Sequence, residues 1–215
     1  ELAAVTSTSA VEGQQAAAVF LRTGQTQSQA IQSVTAALIA SRIAELGVVE
    51  SAQLLTAAQI QFNLSAGQLM PTLDTLNELS NKYRVTTNDL LQSISRTGSV
   101  FEQQNGTLSQ LAATIAVTAQ TTARSGAEIG NAIKTVESRL ATIENADVIL
   151  KTTGVAFRDM KGEARALTDV LLDLQLAFLE VSAVEQDSAT MAAAGVRQRN
   201  ILIAQIKGAV DIIVA

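Results

Sequence analysis

Leu73–Leu140 reads LDTLNELSNKYRVTTNDLLQSISRTGSVFEQQNGTLSQLAATIAVTAQTTARSGAEIGNAIKTVESRL. Three apolar-periodic segments follow one another here, and each begins at a pattern that caps a helix. Thr86 stands three residues before Asp89, Thr107 three before Gln110 and Ser125 three before Glu128. In each pair the hydroxyl can accept a free first-turn N–H, while the residue three on reaches back to the cap's own N–H. Gly98 and Asn105-Gly106 lie between the segments and suit left-handed helix ends and turns. The stretch therefore specifies short helices folded back on each other, over 87–97, 108–122 and 126–143, rather than one long rod.

The same grammar extends in both directions. Residues 2–22 form an Ala-rich helix closed by Gly24. Ile31, Val34, Leu38, Ile39 and Ile43 mark one face of a helix over 26–46, closed by Gly47, and a third helix covers 50–62. Ser65 with Gln68 opens the next helix, in which Pro71 requires either a start one turn later or a bend; Leu69, Leu73, Leu76 and Leu79 form its buried stripe. Beyond Thr153-Gly154 the period changes. Val155–Phe157 and Ala164–Ala166 flank a polar loop closed by Gly162, which reads as a small β-hairpin near 155–166. Helix returns at 167–179, with Leu167, Val170, Leu171, Leu174 and Phe178 on one face. Ser182 with Glu185 caps a further helix, Gly195 breaks it, and a last helix covers 196–214. No repeat of fixed period is visible, so a solenoid is not expected. The fold class is mainly α, an array or bundle of short capped helices with one hairpin, in three segments: 1–64, 65–153 and 154–215.

Composition narrows the function. The 215 residues are 47% hydrophobic but only 3% aromatic, with one Pro and no Trp, so Ala, Leu, Ile and Val must build a closely packed helical core. The absence of His and Cys removes the commonest general base, the commonest zinc ligand and any disulfide or thiolate site. A net charge of −5 without a basic cluster argues against direct nucleic-acid binding; Arg197 and Arg199, the densest basic spot, read as ordinary helix surface. The chain begins at Glu1 without methionine and stops within a helical pattern, which reads as a portion of something longer. No secretory signal appears, and no window reaches the length of an uncharged span; Ile201–Ala215 comes nearest but carries Lys207 and Asp211.

Candidate chemistry is sparse. Asp169 and Asp173 share a helical face and could pair on a metal, but a solvated face opposite Leu171 and Leu174 is the simpler reading. Gly126-x-x-x-Gly130 is no phosphate cradle; it marks either a close helix–helix contact or a glycine tolerated in a first turn. No catalytic, cofactor-binding or metal residues are assigned, and no cofactor is expected. The amphipathic helices could lie on a membrane, but their polar faces carry Ser, Thr, Gln and Asn rather than Lys and Arg.

The run from Asn77 through Asn88-Asp89-Leu90 and Arg96-Thr97-Gly98-Ser99 to Ser125-Gly126, Ala132-Ile133-Lys134-Thr135 and Ser138-Arg139-Leu140 resembles the core region of phage tail tape measure proteins. The likeness continues in Gly154–Asp159, Gly162, Leu167–Leu171, Val184–Gln186 and Gly195–Arg197, covering roughly 65–205. The resemblance implies a non-enzymatic structural virion protein of a long (siphophage) tail, acting in tail assembly, length determination and genome ejection. It further implies three or six copies, contact with tail-tube, distal-tail and baseplate-hub proteins, a place in the tube lumen or tip after assembly in the host cytoplasm, and possible host-membrane contact. Gly98, Gly126, Gly154, Gly162 and Gly195 match its turn positions and, with the caps Thr86, Thr107, Ser125 and Ser182 read above, are assigned structural roles only. A membrane-active protein that inserts or forms a channel during DNA delivery is the alternative.

Overall fold

The computed structural model describes residues 10–215; Leu2, Val5 and the rest of the stretch before Ala10 lie outside them. The described chain is mainly helical: α1 Ala10–Leu21, α2 Gln27–Ile43, α3 Val48–Phe62, α4 Leu69–Lys82, α5 Thr87–Gln103, α6 Leu108–Thr122, α7 Gly126–Leu140, α8 Ile143–Thr153, α9 Leu167–Ala177, α10 Ala183–Lys207 and α11 Ala209–Val214. Local chemistry accounts for most starts. Thr26, Thr86, Thr107, Ser125 and Ser182 each hold extended backbone and accept the N–H three residues on, and each is bonded back by Gln29, Asp89, Gln110, Glu128 or Glu185. Ser65 and Gln68 make the same box around a 3₁₀ turn, Ala66–Gln68, so α4 begins one turn later. Pro71 then falls in the first turn of α4, where its missing N–H has no helical acceptor to lose.

The helices stack in two rows. α1 packs on α3, α3 on α5 and α5 on α7, while α2 packs on α4 and α4 on α6. α10 crosses the end of the stack against α6, α7 and α8, and α11 fits between α6 and α9. This is the hairpin-on-hairpin logic of an α-solenoid, and it corrects the expectation that no fixed period exists. Val48, Thr87 and Gly126 open successive first-row helices at intervals of 39 residues, and Leu69 and Leu108 open second-row helices at the same interval. The register carries Leu55, Ile94 and Ile133, all fully buried, as well as Phe62 with Phe101 and Gly67 with Gly106. The repeat hides because only a few positions per unit retain it, and because α3 starts at Gly47, which supplies no side-chain cap.

Four further expectations change. First, Gly98 does not break a helix: α5 runs through it to Gln103. A Cβ at Gly98 would lie 2.4 Å from Gln61 Oε1 and 2.8 Å from the Phe62 ring, so glycine here admits α3 rather than turning the chain. Second, no β-hairpin forms among the described residues. Arg158 and Ala164 make one isolated antiparallel bridge, and Asp159 Oδ1 accepts the N–H groups of Lys161 and Glu163 at 2.8 and 2.9 Å. The side chain thus closes a tight turn, and the flanking residues leave at once to bury Val155, Phe157 and Leu167 in the core.

Third, the helix expected over 126–143 ends at Leu140, and α8 follows after two residues; likewise the last helix is interrupted at Gly208, where a Cβ would come within 2.5 Å of Val117. Fourth, α2 turns its alanines inward. Ala30, Ala36, Ala37 and Ala40 are buried with Val34 and Leu38, whereas Ile31 is 59% exposed. Small residues let α2 approach its neighbours closely, and that close approach outweighs burial of the larger isoleucine. One contiguous cluster of buried apolar residues runs from Ala16 to Ile212.

Candidate functional site

The most intimate contact in the molecule is the α5/α7 seam. A Cβ on Gly126 would fall 2.1 Å from the Asp89 carbonyl oxygen, and one on Gly130 2.9 Å from that of Ser93. Advancing four residues on one helix advances four on the other, so α5 and α7 run parallel, and Gly126-x-x-x-Gly130 lets their backbones touch. Gly126 is also the first residue of α7, directly after its Ser125 cap. Asp89 joins the two starts: Oδ2 accepts the Thr86 hydroxyl at 2.6 Å, while Oδ1 accepts the Gly126 N–H at 2.8 Å. One carboxylate therefore serves the cap of α5 and a free first-turn donor of α7.

Further along the seam lies Glu137, fully buried, with neither carboxylate oxygen hydrogen-bonded among the described residues. Burial pushes its carboxyl up to about 8, so it is largely protonated near neutrality. Sequence reading passed over it, although a signal was present: Glu137 falls between Ile133, Val136 and Leu140 on the apolar face of α7.

Arg139 was also missed. The α10 backbone is non-helical at Gly195 (φ 66°, ψ 178°), which frees carbonyls of the preceding turn. Arg139 Nε donates to Ala192 O at 2.9 Å and Nη2 to Met191 O at 3.3 Å, so a guanidinium on α7 closes the first half of α10. Arg199 ties the second half back, pairing with Asp187 and donating to the Thr190 hydroxyl. Gly154 ends α8 in the left-handed region (φ 75°), and Gly162 (φ 84°) sits in the turn after Asp159.

Of the carboxylates weighed for metal chemistry, Asp173 pairs with Arg165 at 2.6 Å and Asp169 faces solvent; no group of His, Cys, Asp and Glu suited to a metal occurs among the described residues. No single described helix is long and apolar enough to cross a membrane. A polar cleft of about 560 Å³ lies where the α6–α7 turn faces the second half of α10. Arg124, Glu128, Asn131, Arg197, Asn200 and Lys207 contribute to its walls, and Arg124 bonds Glu128 at 2.8 Å. Glu128 is held below the ordinary carboxylate range by the Ser125 backbone N–H and then by Arg124.

The described helices form an interlocked two-row stack. The family model described as phage-related minor tail protein matches residues 1–195, and the chain belongs to that family. Membership makes it a tail component of the virion with a structural role. No solved structure matches the chain.

Proposed function

We propose that this chain is part of a tape measure protein, acting in tail assembly, tail-length determination and genome ejection from the tube lumen or tail tip. Membership of the minor tail family supports the tail setting, and the resemblance across 65–205 supports the finer reading. The observation that carries it is the family match over residues 1–195; the 39-residue helical unit then bounds how much length a given piece of chain can represent.

As one continuous helix, 39 residues would span ~58 Å at 1.5 Å per residue. Stacked as hairpins, the same residues advance the rows by only ~10 Å, the spacing of packed helices. This region is thus a poor ruler while folded, and its place is in assembly or at the tail tip, with measuring left to helical sequence elsewhere. In-frame removal of residues 87–125 from the phage, followed by electron microscopy of tails, tests this. Assembled tails shortened by about 10 Å or less, or tails that fail to assemble, are the expected results. Intact tails shortened by about 58 Å would refute the assignment.

The same reading includes several copies, three or six, around the tube axis, in contact with tail-tube and distal-tail proteins. Light scattering behind a sizing column tests the self-association: a stable trimer or hexamer is expected, and a monomer at all concentrations would refute it.

One observation bears on the membrane-active alternative. α2 and α3 together make a long apolar pair bent by 115°, but their Ala and Leu faces are already turned into the core. Dye leakage from liposomes on adding the folded chain would favour that alternative over the scaffold.

A further inference from the structure

The polar cleft between the α6–α7 turn and α10 serves neither the stack nor any contact described above. Its α10 wall, from Arg197 to Lys207, lies beyond residue 195, where the family match stops. We infer that this cleft is a docking groove for an extended acidic segment of a partner protein. The inference does not depend on the tape-measure reading.

Charge comes first. The cleft walls carry Arg124, Arg197 and Lys207 against the single carboxylate Glu128, an excess of positive charge on a chain whose net charge is −5. Arg124 is engaged by Glu128. Arg197 and Lys207 make no ion pair among the described residues, whereas the neighbouring Arg199 is tied to Asp187 and Thr190. Two uncompensated cations at one groove attract an anion, and complementarity of this kind steers and orients a partner.

Spacing then selects the anion. Arg197 and Lys207 are ten residues apart on one helix, or ~15 Å along its axis. Phosphate or another small anion reaches only one of them. An extended peptide rises ~3.3 Å per residue, so carboxylates four or five residues apart reach both. Asn131 and Asn200, on facing walls, each offer an amide donor and acceptor to the backbone of such a segment. A single nucleic-acid strand is disfavoured because stacking platforms are aromatic, the cleft walls hold no aromatic residue, and Glu128 would face the phosphates.

At the α7 N-terminus the Gly126 and Glu128 N–H groups are already taken by Asp89 and Ser125. The groove recognises its partner through side chains alone, so substitutions can empty it without touching the stack.

Fluorescence anisotropy of labelled decaglutamate with the whole chain is the test. Saturable binding is expected, lost between about 0.05 and about 0.5 M salt as screening sets in. Arg197→Gln with Lys207→Gln should weaken it at least about tenfold, and Asn200→Glu should do the same by repulsion, with circular dichroism confirming unchanged helix. Lys151→Gln, on α8 away from the cleft, should change nothing. Absence of saturable decaglutamate binding, equal weakening by Lys151→Gln, or tighter binding of a ten-nucleotide oligothymidylate would each overturn the inference. Displacement of decaglutamate by millimolar inorganic phosphate alone would do so too, since it would mark a single-cation ion site.

Discussion

Asp89 and Gly126, 37 residues apart in the chain, meet through a 2.8 Å hydrogen bond from the Gly126 N–H to Asp89 Oδ1. The same carboxylate closes the Thr86 capping box, so the start of α7 is fastened to the start of α5 by a group that α5 needs for itself. The parallel contact of alternate helices is what makes the hairpins stack, and this pair sets its register.

Glycine substitutions should have opposite signs on and off that contact. Gly126→Ala or Gly130→Ala drives a Cβ into the α5 backbone, and overpacking of this kind should cost about 1–3 kcal/mol. Gly13→Ala, inside α1 with nothing within 4 Å of its added Cβ, should gain about 0.5–1 kcal/mol. Urea denaturation of the three variants checks both signs; equal effects would mean the seam is looser than described.

Glu137 makes stability depend on pH in a defined direction. Its carboxyl ionises near 4.5 in the unfolded chain and near 8 when folded, so the folded state holds a proton that the unfolded state releases between those values. Stability should therefore fall as pH rises from about 4.5 to about 8 and level off above. Glu137→Gln should remove most of this slope and be the more stable protein at pH 8, by several kcal/mol. Thermal melts of both proteins across the range provide the check, and parallel pH profiles would dismiss a buried, unpaired carboxyl.

Arg139 and Gly195 should behave as one unit. Arg139→Met leaves the Met191 and Ala192 carbonyls without the donor that closes them, at about 1–3 kcal/mol. Gly195→Ala forces an L-residue into a conformation close to glycine-only, at a cost of similar size. Because both act at the same break, the double variant should lose less than the sum of the two. Strict additivity in chemical denaturation would separate them.

Ala123 closes α6 in the left-handed region at φ 53°. Ala123→Gly relieves about 1–2 kcal/mol of strain but loosens the unfolded chain by about 0.4–1 kcal/mol, leaving a net gain and a higher melting temperature. A lower one would show that the turn holds Ala123 through its methyl group.

Much of the local structure was legible because helix starts are written in short-range chemistry. A hydroxyl and a carboxylate or amide three residues apart meet whatever the rest of the chain does, as at Thr86, Thr107, Ser125 and Ser182. The buried stripe Leu69, Leu73, Leu76 and Leu79 was equally readable, since α4 presents one face to the core.

Other features needed the tertiary structure. Whether a mid-chain glycine ends a helix or admits a neighbour depends on what lies beside it: Gly98 admits Gln61 and Phe62, while Gly195 breaks α10 because Arg139 stands ready to satisfy the freed carbonyls. The inward turn of alanines in α2, the unpaired burial of Glu137 and the groove between Arg124 and Lys207 arise from side chains far apart in sequence. The sequence by itself determined where helices begin and that nearly everything is helical, because caps and propensity act over one turn. Only the tertiary structure decided which faces meet and which glycines are spacers, because those follow from how closely two backbones can approach.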